Sequence, residues 1–187
     1  ERSASLVNMS SDDFNTKLIY IIPSRGLLGF ISSFMTLTKG YGIISHIYKE
    51  YRPLENNKIG ERKTGVLVAT EGGNATPYAI EKVEERGTMF IKPGTEVYEG
   101  MIVGENKYDV DLAVNVVAKK NLTNVRSSNK DLTVVLKTPR TMSLEACLDY
   151  INSDELVEIT PTTFRMRKRI LATSERKKWD SKQKKDI

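Results

Sequence analysis

The chain has 187 residues, 39% of them hydrophobic, with a single cysteine and a single histidine, enough for one large domain or two small ones around a packed core. No stretch approaches the roughly 20 apolar residues of a bilayer span, and Glu1-Arg2-Ser3-Ala4 has neither an initiator Met nor a secretion signal, so a cytoplasmic piece of a longer protein is expected. The net charge of +5 is uneven: from Phe164 onward there are 10 Lys/Arg against 3 acids, while the first 163 residues hold 19 against 21, which is how a polyanion-binding edge appears in sequence.

In chain order, a short strand is expected around Leu6 to Met9 and a second over Lys17 to Ile22, stopped by Pro23. Ser24 can cap a helix whose Leu27, Leu28, Ile31, Phe34 and Met35 share one stripe, and Gly40 suits the left-handed position that ends it. A third strand is read over Tyr41 to Tyr51, with His46 inside it. The order β-β-α-β is the later part of a ferredoxin-like split βαβ unit without its opening strand and helix, which leaves apolar surface exposed. Residues 1–53 are assigned to this truncated unit and the polar run 54–63 to a linker.

From residue 64 to 173 the pattern predicts a second, β-rich α+β domain, making the whole chain α+β. Strands fall at Val66 to Ala69, Met89 to Ile91, Met101 to Val103, Asp111 to Val117, Leu132 to Lys137, Glu155 to Thr160 and Phe164 to Leu171. One helix starts at Thr76-Pro77 and stops before Gly87, and another is capped by Ser143 and runs to Ile151. Cys147 shares helical spacing with Leu144, Leu148 and Ile151 and reads as a core thiol. The Lys-rich end, 174–187, is a basic tail, either a fraying helix or disorder, that acts as an electrostatic tether.

Catalytic machinery is missing: there is no Gly-x-x-x-x-Gly-Lys-Ser/Thr loop and no nucleophile elbow, so no catalytic residue is assigned. Cys147 and His46 have no local partners, which argues against a hydrolase. One cysteine excludes an intrachain disulfide, and no His/Cys cluster is available for zinc, so neither a metal nor a cofactor is expected on this chain. Gly72 to Pro77 reads as a plain helix entry, because no cation stands beside it to make an anion site. Asp109 and Asp111 read as solvent-exposed carboxylates.

Two segments carry the functional reading. The long connection around 119–130 contains Lys119, Lys120, Asn121, Thr123, Asn124, Arg126, Ser127, Ser128 and Lys130, four cations and no acid. Cations can neutralise phosphates while amides and hydroxyls meet ribose and base edges, a composition suited to RNA; a solvated loop fits it too. In the last strand the two-residue period puts Arg165, Arg167 and Arg169 on one face and Phe164, Met166 and Ile170 on the other. Guanidinium groups about 7 Å apart match a phosphate backbone, with a merely solvated sheet face as the alternative.

The run Ile22-Pro23-Ser24-Arg25-Gly26-Leu27-Leu28-Gly29-Phe30 resembles a signature of the BipA/TypA translational GTPases. Further likeness lies in Glu85 to Phe90, Pro93 to Glu105, Leu122 to Arg126 and Asp154 to Pro161. The resemblance implies a truncated unit like the fifth domain of elongation factor G, followed by the family's own C-terminal domain. It implies that GTP and Mg bind in a preceding domain, so that this piece is not itself an enzyme while the full-length protein is a ribosome-dependent GTPase. The partners implied are the ribosome, its 23S rRNA and A-site tRNA, with loop 119–130 toward rRNA or the tRNA acceptor end. The role implied is stress-adapted translation or large-subunit assembly. A monomer that avoids membranes is expected, with the incomplete unit as a route to association. The rival reading is a module whose basic end meets an acidic protein.

Overall fold

The structure, a computed structural model, describes residues 2–53, 62–119 and 135–183. It is mixed α+β and divides into two compact units, Glu1–Glu61 with Leu148–Tyr150, and Arg62–Cys147 with Ile151–Ile187.

In the first unit, β1 (Ser5–Ser11) pairs antiparallel with β2 (Thr16–Ile21), with a register shift between Leu6 and Asn8. Helices α1 (Ser24–Leu27) and α2 (Phe30–Leu37) follow, where the sequence predicted one helix. Gly29 breaks it: its φ of 67° is left-handed and cannot continue a right-handed turn. Pro23, not Ser24, holds the cap position of α1, and no side chain caps it. At the other end, the Gly40 N–H bonds Met35 O at 2.8 Å and the Lys39 N–H bonds Thr36 O at 3.2 Å, the paired bonds of a Schellman stop. Lys39 and Gly40 both have positive φ there, so the left-handed turn begins one residue before the predicted glycine.

The strand expected over Tyr41 to Tyr51 does not form, and Tyr41, Ile43, His46, Ile47 and Tyr51 are exposed. A strand needs a neighbour to take its backbone groups, and β1 and β2 pair only with each other.

The second unit has a six-stranded sheet formed by β3 (Val66–Ala69), β5 (Gly87–Met89), β7 (Met101–Asn106), β8 (Leu112–Val114), β9 (Glu155–Ile159) and β10 (Phe164–Lys168). Its path runs β8-β3-β7-β10-β9. β5 shares with β10 the side of β7 that faces away from β3. β8 is parallel to β3 and the other pairings are antiparallel. All four residues of β3 and most of β7 are buried, so the centre of the sheet is covered on both faces, as its unbroken apolar runs require. A separate short ladder joins β4 (Gly73–Asn74) to β6 (Glu96–Val97).

Helix α3 (Pro77–Glu84) lays Ala79, Ile80 and Val83 into the core with Leu67, Met89, Val97, Met101, Val103, Val114 and Val116. Each large aliphatic side chain there contributes about 1.5–3 kcal/mol by leaving water. α4 (Leu144–Tyr150) is capped by Ser143 and buries Cys147. The strand expected over Leu132 to Lys137 lies largely outside the described residues, and 135–137 are not in a strand. The described part of the basic tail forms helix α5 (Thr173–Gln183).

Candidate nucleic-acid interface

The cationic segment is built outward from α3. The Thr76 hydroxyl accepts the Ala79 N–H at 3.2 Å, capping the helix, and donates to Ala118 O at 2.6 Å. The Thr76 N–H bonds Val116 O at 3.0 Å, so the chain leaving β8 is tied to the start of α3 before it reaches exposed Lys119. On the return, buried Glu84 at the other end of α3 accepts the Lys137 N–H at 3.0 Å, and the Arg140 N–H bonds Met89 O at 2.8 Å. Both stems are thus pinned to opposite ends of one core helix. Lys120, Asn121, Thr123, Asn124, Arg126, Ser127, Ser128 and Lys130 lie outside the described residues.

The same bonds settle how the Gly72 to Pro77 run is used. The Ala75 N–H goes to Thr95 O and the Thr76 N–H to Val116 O, so these two donors are committed within the fold. With both donors already used, this run is a plain helix entry, and it lacks the lysine-bearing phosphate loop of a nucleotide site.

The arginine ridge differs from its sequence reading. β10 ends at Lys168, so Arg169 stands beyond the strand, exposed, with its guanidinium on Ser153 O at 3.0 Å. Arg167 is ion-paired with Glu158 on β9 at 2.6 Å and is therefore part-neutralised by its own chain. Arg165 faces the same Glu158 across the ladder, but its side chain makes no hydrogen bond or ion pair among the described residues. Tyr98 donates to the other Glu158 oxygen at 2.5 Å, and burial, then this hydrogen bond, push its phenol well above the ordinary range. Strand alternation puts Arg165 and Arg167 on one face but does not extend to Arg169, and it could not show the acid waiting on β9.

Lys168, on the opposite face beside Met166, is only 4% exposed. Its ammonium lies 2.5 Å from Asp111, 2.7 Å from Asp154 and 2.9 Å from Glu155, so its three donors meet three carboxylates. The buried Arg62 guanidinium makes two parallel bonds to the same Glu155, at 2.9 and 2.8 Å. Burial alone would raise the Glu155 carboxyl, but Arg62, Lys168 and the Asn152 N–H hold it below the usual carboxylate range. Burial would lower Lys168, and the hydrogen bonds it donates to Asp111 and Asp154, with the charge of Glu155, leave it raised. Asp111 is exposed, as expected, yet both of its carboxylate oxygens are engaged: besides Lys168, it accepts the Val66 N–H at 2.9 Å. These three acids are close enough to share a metal ion, and the lysine ammonium occupies the position between them. Asp111, Asp154 and Lys168 line an open cleft of about 390 Å³ with Arg62, Asp109 and Asn152, while Glu155 lies buried behind it. Sequence reasoning missed the cluster because Arg62 and Asp111 lie far along the chain from Asp154, Glu155 and Lys168.

Comparison with known proteins follows this division. Residues 64–173 match the family described as TypA/BipA C-terminal domain, and residues 1–62 match elongation factor G C-terminus. The chain is similar to the "Large ribosomal subunit assembly factor BipA" of Bacillus subtilis (strain 168), 48% identical over 98% of this chain and 30% of that protein. The protein so named from Salmonella typhimurium is 42% identical over 100% of this chain and 31% of its own length. The one from Synechocystis sp. is 50% identical over 82% of this chain and 26% of its own length. The chain spans about a third of the length of these relatives. With a family match over more than half its residues, covering the domain that carries the pinned cationic segment and the arginine strand, this chain belongs to the TypA/BipA family.

Proposed function

We propose that these residues form the ribosome-binding, RNA-contacting C-terminal region of a BipA-type translational GTPase that works in assembly of the large ribosomal subunit in the cytoplasm. The relatives' name supports the assembly role over a general one in stress translation. One observation carries the reading: a segment with four cations and a single acid, Asp131, leaves and re-enters the core at opposite ends of α3. A binding loop gains affinity when its ends are fixed, because less freedom is lost on contact. Lys119, Lys120, Arg126 and Lys130 would neutralise phosphates, and the amides and hydroxyls of Asn121, Thr123, Asn124, Ser127 and Ser128 would meet ribose or base edges of 23S rRNA or the acceptor end of an A-site tRNA.

GTP and Mg do not fit the residues present here, which lack a lysine-bearing phosphate loop, so nucleotide hydrolysis belongs to another part of the full-length protein. The work of this region is binding and orientation.

The test is the affinity of the chain for large-subunit particles as a function of salt. Binding through phosphates loses affinity steeply, and Lys119→Ala, Lys120→Ala and Arg126→Ala together should reduce the log–log slope by about 2–3. An unchanged slope would remove the loop from the interface. Binding that survives nuclease treatment of the particles would favour an acidic protein partner instead.

A further inference from the structure

Among the described residues, the side-chain and backbone contacts that tie helix α5 to the rest of the fold are at its start. The Thr173 N–H bonds the Glu99 carboxylate at 2.7 Å, and the Arg176 guanidinium bonds Ile170 O at 3.0 Å, Leu171 O, and the Thr173 hydroxyl at 3.0 Å. Beyond that turn, Lys177, Lys178, Trp179, Ser181 and Lys182 are exposed. Trp179 is 47% exposed, unusual for the residue type that gains most from burial. At 100° per residue Lys178, Lys182 and Trp179 fall within about 100° of arc, a stripe with one flat aromatic beside two ammonium groups. Glu175 lies on this side one turn nearer the helix start, where an acid suits the dipole.

We propose that this stripe of α5 is a second RNA contact, in which Lys178 and Lys182 meet phosphates and the Trp179 indole stacks on an unpaired base; it rests on the RNA-binding reading above. The composition discriminates among occupants. A membrane-surface helix needs an apolar face, and a helix that docks in a protein groove needs apolar anchors at i, i+3, i+4 and i+7. Between Thr173 and Gln183 Trp179 is the only large apolar side chain. A lone aromatic set among cations is what a single-stranded nucleic acid uses, because every base offers a π-face and every linkage a charge. The cationic loop has no aromatic residue, so α5 supplies the stacking that the loop lacks.

Trp179 is the chain's single tryptophan, so it reports on its own surroundings. The whole chain is titrated with a short, end-labelled oligoadenylate, following label anisotropy and indole emission in parallel. Both should change with one midpoint. Trp179→Ala should weaken binding by about 5- to 150-fold, the range of one stacked base, and Trp179→Phe should recover most of it. Lys178→Ala with Lys182→Ala should lower the salt slope by about 1.4. If anisotropy reports binding while indole emission and the Trp179→Ala affinity do not change, α5 is not a contact and the loop reading stands alone. If neither signal changes, and large-subunit particles are not bound either, both readings fall. An indole response to phosphatidylglycerol vesicles but not to RNA overturns the proposal in favour of a membrane surface.

Discussion

Adjacent residues of β10 put their charge to different uses. Lys168 spends all three donors on carboxylates inside the fold, Arg167 is paired with Glu158, and Arg165 is left uncommitted among the described residues. If the strand contacts phosphate, Arg165→Ala should lower the salt slope of binding more than Arg167→Ala, since Arg167 must first part from Glu158. Glu158→Gln should free Arg167 and steepen that slope; equal effects of the two arginines would mean that the pair does not persist in solution. For Glu155, which takes two bonds from Arg62 and one from Lys168, replacement by Gln leaves two buried cations under-compensated. This should cost about 3 kcal/mol in urea unfolding. The pH dependence follows from sign. A carboxyl held below its unfolded value stabilises the fold fully above about pH 4.3 and loses that contribution as pH falls through its folded value. The melting temperature should therefore drop on the acid side of pH 4, and less so in Glu155→Gln. The raised Lys168 contributes below about pH 10.4 and loses its effect only as pH rises past its folded value, which leaves the neutral range flat.

At the scale of elements, α3 is both a core helix and the mount for the cationic segment. Thr76 caps it and holds Ala118, so Thr76→Ala removes two bonds and should cost about 1–2 kcal/mol, while Thr76→Ser keeps both. Protease nicking within 119–134 should quicken in the alanine variant at temperatures where the core is intact. β5 depends on a close approach: a Cβ on Gly87 would sit 1.8 Å from Glu105 O, so Gly87→Ala should separate β5 from β7 and lower the melting temperature. Much of this level was legible in the chain. Thr76-Pro77 and Ser143 mark helix starts through capping chemistry, and the apolar runs of β3 and β7 through their burial. The split of α1 from α2 was not, because Gly29 also fits inside an apolar helical stripe. Nor was the loss of the 41–51 strand, since alternation describes a strand's side chains and is silent on whether a neighbour exists to pair with.

Across the whole molecule, burial is concentrated in one unit. The buried hydrophobic core residues lie from Val66 onward, whereas β1 and β2 expose Leu6, Val7, Met9, Leu18, Ile19 and Tyr20. A two-stranded sheet open on both faces has little to oppose local opening. Amide exchange should therefore be slow at Leu67, Ile102 and Val103 and fast throughout 5–21; comparable protection in both would mean that the first unit is covered in solution.

The sequence by itself determined the α+β class, the cores of most strands, the helix caps and the concentration of positive charge toward the end, because these depend on local spacing and composition. The tertiary structure alone decided which charges remain available to a partner. Asp111, Asp154 and Glu155 converge on Lys168, and Glu158 takes Arg167, through strand pairings between segments up to about 65 residues apart in the chain; an ion pair is set by distance in space, which the order of residues does not record.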